Sequence, residues 1–454
     1  MTDNIKKDDV FEVEITDLNN LGNGVGRIGG RVVFVRGAVV GDVVKVKIIK
    51  VNKSFLVARL EQIITPSSFR EDGFCSAPFS CGGCVYRHIT YAHELELKHS
   101  YVKNAFLKAG VSADVLPVIS AGKECGYRNK GMFPLTKIKG KVRAGFYAAK
   151  THNVVPIDNC SIQNPIFCEI VDFVCTLADE FSWSVYDEES GRGLLRHIYL
   201  RIGEKTGEVM LCIVINGTEL LHSEALCKRV KERFPCIVSV MLNFNCEETN
   251  VVLGESYKTL YGREGIRDIL CDLEFFIRPA AFYQVNRDGA ELLYNKAREL
   301  ASLSGEETVA DLYCGTGTIG LSMAKDAKSV VGIEIEPSAV ECAKENAERN
   351  GIKNAKFVCG DASDKETILS AFAGVAPDVV IIDPPRKGST KELVDTLADI
   401  GVEKLVYVSC SPDTLARDAV YFLDRGYGMS EVQPVDMFPR SGHVESVVCF
   451  KRQI

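Results

Sequence analysis

Cys410 and Glu445 are the two residues of this chain whose types could break and make bonds together. Cys410 follows a short apolar run, Lys404-Leu405-Val406-Tyr407-Val408-Ser409, and a thiolate there is a nucleophile. Glu445, in Gly442-His443-Val444-Glu445-Ser446, is a candidate general base. Four acids also close apolar runs: Asp311, Glu334, Asp361 and Asp383, the last within Asp383-Pro384-Pro385-Arg386. One acid in such a place is usually a helix cap or a surface group. Four in succession are better explained as ligand-binding groups, because ligands settle beyond the carboxyl ends of parallel strands.

The stretch around which these residues are organised is Val309-Ala310-Asp311-Leu312-Tyr313-Cys314-Gly315-Thr316-Gly317-Thr318-Ile319-Gly320. It reads as strand, glycine-rich turn and helix start, the setting of a nucleotide-like cofactor. The turn alone does not choose the cofactor. Gly315-x-Gly317-x-x-Gly320 also fits a dinucleotide pattern, with Glu334 19 residues after Gly315. Glu334 can accept hydrogen bonds from ribose hydroxyls, and Asp361 from an adenine amino group. An aromatic after Asp-Pro-Pro would stack on a base in an amino-methyltransferase. Arg386 stands there instead, which weakens that reading and turns attention to Cys410.

Methylating carbon 5 of uracil requires what Cys410 and Glu445 offer. Carbon 5 of the intact ring is a poor nucleophile. A thiolate adding to carbon 6 creates an enolate with charge at carbon 5, which can attack a sulfonium methyl. A base must then take the carbon 5 proton so that the thiol can leave.

These residues must be held by a strand-helix alternation. Runs at 329–334, 356–361, 378–383 and 404–409 read as strands, helices are expected over 338–350 and 413–425, and 431–437 can pair with 444–451 as a final hairpin. This is an α/β doubly wound, Rossmann-like sheet of the class I methyltransferase kind, over 271–454. Upstream, residues 1–64 alternate apolar and polar as an OB-like β-barrel, with Gly22-Asn23-Gly24 read as a turn. A central α+β region covers 65–90 and 121–270, and a helical segment at 91–120 is expected to pack on the catalytic domain.

The first cysteines form a group of their own. Cys75, Cys81 and Cys84 stand at C-x5-C-x2-C around Gly82-Gly83, with Cys160 as a distant fourth. Four thiolates suit zinc or an iron–sulfur cluster, and this spacing fits a [4Fe–4S] cluster better.

Length and composition set the frame. At 454 residues two or three domains are expected. No apolar run reaches the ~18 residues of a membrane span, and Met1 to Val10 has no signal-peptide core. A cytoplasmic location follows, in which the 17 cysteines are not expected to be disulfides. The net charge of −7 argues weakly against nucleic acid, but eight basic residues face Asp42 alone between Val25 and Leu60. Another eight face Glu124 alone between Lys123 and Lys150, with Phe133, Phe146 and Tyr147 among them. Phosphate binding depends on such clusters.

Taken together, the motifs resemble the RNA (uracil-5-)-methyltransferase family, and within it the cluster-bearing enzymes that act on 23S ribosomal RNA. The resemblance covers nearly the whole chain. It rests on a TRAM-like barrel, the four cysteines, Gly126-Tyr127-Arg128-Asn129-Lys130 and Phe282-Tyr283-Gln284-Val285-Asn286. Downstream it adds Asp311-Leu312-Tyr313-Cys314-Gly315, Asp383-Pro384-Pro385-Arg386, Ser409-Cys410 and His443-Val444-Glu445. It implies Cys410 as nucleophile and Glu445 as base. It implies S-adenosylmethionine contacts at Gln284, Tyr313, Gly315, Thr318, Glu334, Asp361 and Asp383. Ser411-Pro412 departs from the Asn-Pro common in the family. Members acting on tRNA commonly lack barrel and cluster, so the resemblance implies a flipped uridine of 23S ribosomal RNA as substrate and no obligate protein partner. The rival readings are a tRNA enzyme of the same family, a non-catalytic RNA-binding protein and a dinucleotide-dependent oxidoreductase.

Overall fold

A computed structural model describes residues 5–453; Met1 to Asn4, which the barrel and leader expectations include, and Ile454 lie outside it. Among the described residues, three large sheets and one two-stranded hairpin make up the β structure. The first has six strands in the order Val10–Glu14, Val43–Val51, Phe55–Thr65, Arg31–Arg36, Asn23–Ile28, Asp17–Leu18. Alternate residues Val33, Val35, Val44, Val46 and Ile48 fill its interior. Asn23–Ile28 corrects the expected turn at 22–24, since only Gly22 turns there. Gly24 and Gly26 belong to the strand because a Cβ at Gly26 would stand 2.4 Å from Val13. The glycines thus bring two strands into close contact.

The central sheet runs Val154–Pro156, Lys141–Tyr147, Lys130–Ile138, Leu195–Ile202, Val209–Ile215, Ile237–Phe244, Ser256–Gly262. Helices Pro165–Glu180 and Ser223–Arg233 share a core with one face of it, in which Phe167, Ile170, Leu211 and Ile213 are fully buried. Residues Tyr199, Met210 and Met241 belong to a different core, shared with the hairpin Ile266–Leu270/Leu273–Ile277 and with helix Arg287–Ala301. The sheet is thereby welded to the catalytic unit.

The third sheet carries the candidate site residues. Its order is Ala355–Cys359, Ser329–Glu334, Thr308–Leu312, Val379–Ile382, Lys404–Ser409, Glu445–Arg452, Gln433–Asp436, Ile119–Ser120. The first five strands are parallel, and Glu445–Arg452 pairs antiparallel with both Lys404–Ser409 and Gln433–Asp436. The expected final hairpin is present, with its second strand inserted inside the first. Apolar cores cover both faces, which is why Val379–Ile382 reads Val-Val-Ile-Ile without alternation.

Helix Tyr91–Lys108 packs Val102 and Phe106 into the same core as Leu415, Ala416 and Phe422 of helix Pro412–Asp424. It ends at Ala109, and Gly110, at φ +77°, donates its N–H to the Leu107 carbonyl. Among the described residues no helix is long and apolar enough to cross a membrane.

Candidate functional site

All four acids stand at strand ends on one edge of the parallel sheet. Asp311 is buried and accepts the Gly320 N–H at 2.8 Å, closing the glycine loop on its own strand. Burial raises its carboxyl to about 7. Tyr313 takes φ +63° without being glycine, followed by Gly315 at +55° and Gly317 at +80°. This left-handed run costs free energy for tyrosine and is a mark of a built turn. Thr318 is anchored by the Tyr294 hydroxyl at 3.1 Å, and Glu334 accepts N–H groups from Gly315 and Glu336. Asp361 is exposed, and its carboxylate accepts both the hydroxyl and the N–H of Ser363, which holds its carboxyl below the usual carboxylate range. Gln284 is buried; its carbonyl accepts the Asn129 side-chain amide at 2.9 Å.

Cys410 sits between strand Lys404–Ser409 and helix Pro412–Asp424, so its thiol lies near a helix N-terminus. That end favours a thiolate. Burial nevertheless pushes the thiol up to about 11; the carboxylates of Glu445 and Asp383 push the same way, while Arg386 opposes them. Glu445 is only 4% exposed. Burial and then Asp383 raise its carboxyl to about 8, again against Arg386. Asp383 is half-buried, and loss of solvation lifts it to about 7. Glu445, Asp383 and Arg386 therefore act on the Cys410 thiol, and Asp383 and Arg386 on the Glu445 carboxyl.

A cavity of about 340 Å³ opens on Cys410. Its walls come from segments far apart in the chain: Asn20 and Leu21 of the barrel, Gly82 and Gly83 of the cysteine loop, Arg128, Arg386 and His443. Arg128 was carried in a motif to which sequence reading gave no role. Its neighbours in that motif are clasps: Tyr127 donates to the Pro439 carbonyl at 2.9 Å, and Asn129 holds Gln284.

A buried ionic network shapes the loop before Glu445, and sequence reading missed it. Lys98 donates to Glu94 at 2.6 Å, to Asp436 at 2.8 Å and to the Phe438 carbonyl at 3.1 Å. Arg440 pairs with Glu71 and Glu124, and its N–H donates to Glu94. The only local signal was Glu94 and Lys98 at i,i+4 on a helix whose other face is apolar.

Of the aromatics in the 123–150 basic stretch, Phe133 is buried in the central core and Phe146 packs on it with ring centroids 5.2 Å apart. The Phe133 ring is therefore out of reach of a base. Lys137, Lys139 and Lys141 are exposed at the tip of their hairpin.

The four cysteines are neighbours. Burial pushes the Cys84 thiol up to about 12, with Cys160, Cys75 and Cys81 each adding to it and Arg128 opposing. Among the described residues no three His, Cys, Asp or Glu side chains converge closely enough to hold a single metal ion.

The family described as tRNA (Uracil-5-)-methyltransferase matches residues 272–453, and the TRAM domain matches residues 7–60. A protein of Caldanaerobacter subterraneus subsp. tengcongensis, described as an uncharacterized RNA methyltransferase, is 43% identical over 449 residues, 99% of each chain. One from Clostridium tetani with the same description is 41% identical over 447 residues, 98% of this chain and 96% of that one. The crystal structure of Pyrococcus abyssi tRNA (uracil-54, C5)-methyltransferase in complex with S-adenosyl-L-homocysteine matches 97% of this chain and 100% of its own. Its TM-score is 0.79 at 29% identity. On these matches the chain belongs to the family of S-adenosylmethionine-dependent RNA (uracil-5-)-methyltransferases, and carries a TRAM domain before its catalytic unit.

Proposed function

We propose that the protein methylates carbon 5 of a uridine in 23S ribosomal RNA, with Cys410 as nucleophile and Glu445 as base. The observation that carries this is Cys410 and Glu445 set side by side by the Ser409–Ser446 strand pair, with Asp383 and Arg386 acting on the charge of both, beside a cavity that opens on Cys410. The Cys410 Sγ, once deprotonated, bonds to carbon 6. The ring electrons shift to carbon 5, which bonds to the methyl carbon as the methyl–sulfonium bond breaks and a neutral thioether leaves. S-adenosylmethionine supplies that methyl as an electrophile on a sulfonium. Glu445 then takes the carbon 5 proton, the carbon 6–sulfur bond breaks, and the thiolate leaves. A carboxyl raised to about 8 is a strong enough base for this step near neutral pH. The target base must leave its stack to reach the thiol.

In this reading Gln284, Tyr313, Gly315, Thr318, Glu334, Asp361 and Asp383 bind the cofactor. The glycine loop and its pinned acid at Glu334 fit a nucleoside, since both Glu334 oxygens are oriented by main-chain N–H groups. Residues 1–64 supply RNA affinity, 65–90 with 121–270 a second RNA-facing region, and 91–120 a strut against the 271–454 catalytic unit.

Cys75, Cys81, Cys84 and Cys160 hold a [4Fe–4S] cluster in this reading. What supports it is their C-x5-C-x2-C spacing with a distant fourth cysteine, and a Cys84 thiol near enough to Cys160, Cys75 and Cys81 for each to raise it. The cluster supplies structure near the Cys410 cavity, to which Gly82 and Gly83 contribute.

A tRNA substrate is the second reading. The Pyrococcus abyssi structure, titled as a tRNA enzyme, spans 97% of this chain, so the barrel does not by itself select ribosomal RNA. The test is nucleoside mass spectrometry with position mapping on unmodified 23S ribosomal RNA and tRNA, each incubated with protein and S-adenosylmethionine. 5-Methyluridine at a defined ribosomal position is expected. Its appearance in tRNA alone would transfer the activity to the second reading, and its absence from both would remove the catalytic assignment.

A further inference from the structure

Leu21 is an apolar side chain held out in solvent on a fixed support. It is 60% exposed. Yet Asn19 Oδ1 accepts the N–H groups of Leu21 at 3.1 Å and Asn23 at 3.0 Å, and the Asn19 carbonyl accepts that of Gly22 at 2.9 Å. The barrel tip is gripped on both sides. A Cβ on Gly22 would stand 2.3 Å from the Val85 carbonyl oxygen, and one on Gly442 would stand 1.8 Å from that of Asn20. Both glycines are therefore needed for the tip to lie against the cysteine loop and the catalytic unit.

Leu21 stands on the ridge between two cavities. One is the cavity over Cys410. The other, about 320 Å³, lies between barrel and cysteine loop, and Leu21, Gly82 and Val85 line both. Arg36, Arg87 and Lys150 line the second cavity on one side and Cys81 and Cys84 of the cysteine loop on another, and no acid does. The two guanidiniums donate to main-chain carbonyls, Arg36 to Phe79 and Arg87 to Ala77, so those contacts leave their charge available to phosphate.

We propose that Leu21 is a wedge between two consecutive nucleotides of the bound RNA. The target uridine occupies the cavity over Cys410, the adjoining nucleotide occupies the cationic cavity, and the leucine side chain fills the gap opened by unstacking. Apolar side chains inserted at base steps do this in other nucleic-acid complexes. The proposal rests on the reading that the Cys410 cavity receives a flipped uridine.

The test uses the full-length protein, S-adenosylmethionine and RNA stem-loops containing 5-fluorouridine at the methylated position, with covalent adduct followed on denaturing gels. In a second set of stem-loops the nucleotide on either side of the target is abasic. Leu21→Ala should slow adduct formation about tenfold on intact RNA, the scale of losing a contact that offsets unstacking. Leu21→Met should stay near wild type. With the neighbouring base deleted there is no stack to hold open, so Leu21→Ala should come within about twofold of wild type on at least one abasic RNA. Equal rates for Leu21→Ala and wild type on intact RNA would overturn the wedge, as would an equal defect on intact and abasic RNA. Failure of the wild-type protein to form adduct on any RNA is a distinct outcome, and removes the uridine reading together with the wedge.

Discussion

Glu334 accepts the Gly315 N–H at 3.0 Å through one carboxylate oxygen, while its other oxygen accepts the Glu336 N–H at 3.0 Å. The acid is thus aimed by the loop that it in turn holds. In the proposed complex its remaining lone pairs receive the ribose hydroxyls. Glu334→Gln keeps the size but loses the charge and one acceptor. A hydrogen bond to a charged group contributes ~1.5–3 kcal/mol, so the Kd for S-adenosylmethionine should rise about ten- to a hundredfold. The rate at saturating cofactor should change little. Isothermal titration with turnover measurements checks both; an unchanged Kd would remove Glu334 from the cofactor site.

Arg386 is the only cation identified as opposing the upward shifts of both Cys410 and Glu445. Arg386→Ala should therefore raise both groups further. One pKa unit is a factor of ten in thiolate fraction, so adduct formation near pH 7 should slow roughly tenfold. Raising the pH should restore part of it. A loss that is constant with pH would point instead to a lost RNA contact.

The raised carboxyls also set how stability varies with pH. Glu445 stands at about 8 in the folded protein against 4.5 as a free side chain, and Asp311 and Asp383 at about 7 against 3.8. In the window between those values the folded state binds more protons than the unfolded one. Stability is then full below the free-side-chain values and is lost as pH rises toward 8. Calorimetric Tm for the cofactor-free protein should fall from about pH 5 to pH 8, and Glu445→Gln should flatten the upper part of that slope. A Tm that rises steadily across this range would contradict the buried-acid arrangement.

The parallel sheet and its acids were legible because each strand is a short apolar run whose last residue is chemically distinct. The same logic singled out Cys410, and strand pairing at Ser409 and Ser446 sets it beside Glu445, the first residue of its own strand. What escaped is long-range or hidden by composition. Lys98 meets Asp436 across 338 residues and Tyr127 meets Pro439 across 312, separations that no local periodicity encodes. Glycines at 24 and 26 disguised a strand as a turn, and Phe133 and Phe146 lie among lysines yet point into a core. Boundaries moved as well: the helices expected over 338–350 and 413–425 run over Pro337–Arg349 and Pro412–Asp424, each starting one residue early at a proline, which suits the first helical position.

Removing the proposed cluster should act on the barrel side of the site and leave the cofactor side intact. Anaerobic reconstitution should load about four iron per chain, and Cys84→Ser should lower it. The same variant should weaken RNA binding, because Gly82, Gly83 and Val85 line the cavities beside it. S-adenosylmethionine affinity should hold. Iron analysis that finds one zinc and no iron would replace the cluster with a structural metal.

Lys98 and Asp436 test whether the buried ionic network positions Glu445 or merely fills space. Both are essentially unexposed, as is Glu94. Burial already raises Glu94 to about 7 although Lys98 pulls it down. Lys98→Met would leave two buried acids without their cation, and breaking a buried pair on one side costs ~3–5 kcal/mol. Urea midpoints should fall accordingly. Because Lys98 also holds the Phe438 carbonyl and Glu94 holds the Arg440 N–H, the loop leading to Glu445 should lose its fixed path. Proton removal from carbon 5 should then slow more than adduct formation, so adduct should accumulate on natural uridine RNA. Glu94→Gln combined with Lys98→Met deletes one stranded charge and should regain part of the stability. Regained stability without regained release would assign the network a positioning role; full recovery of both would assign it to folding alone.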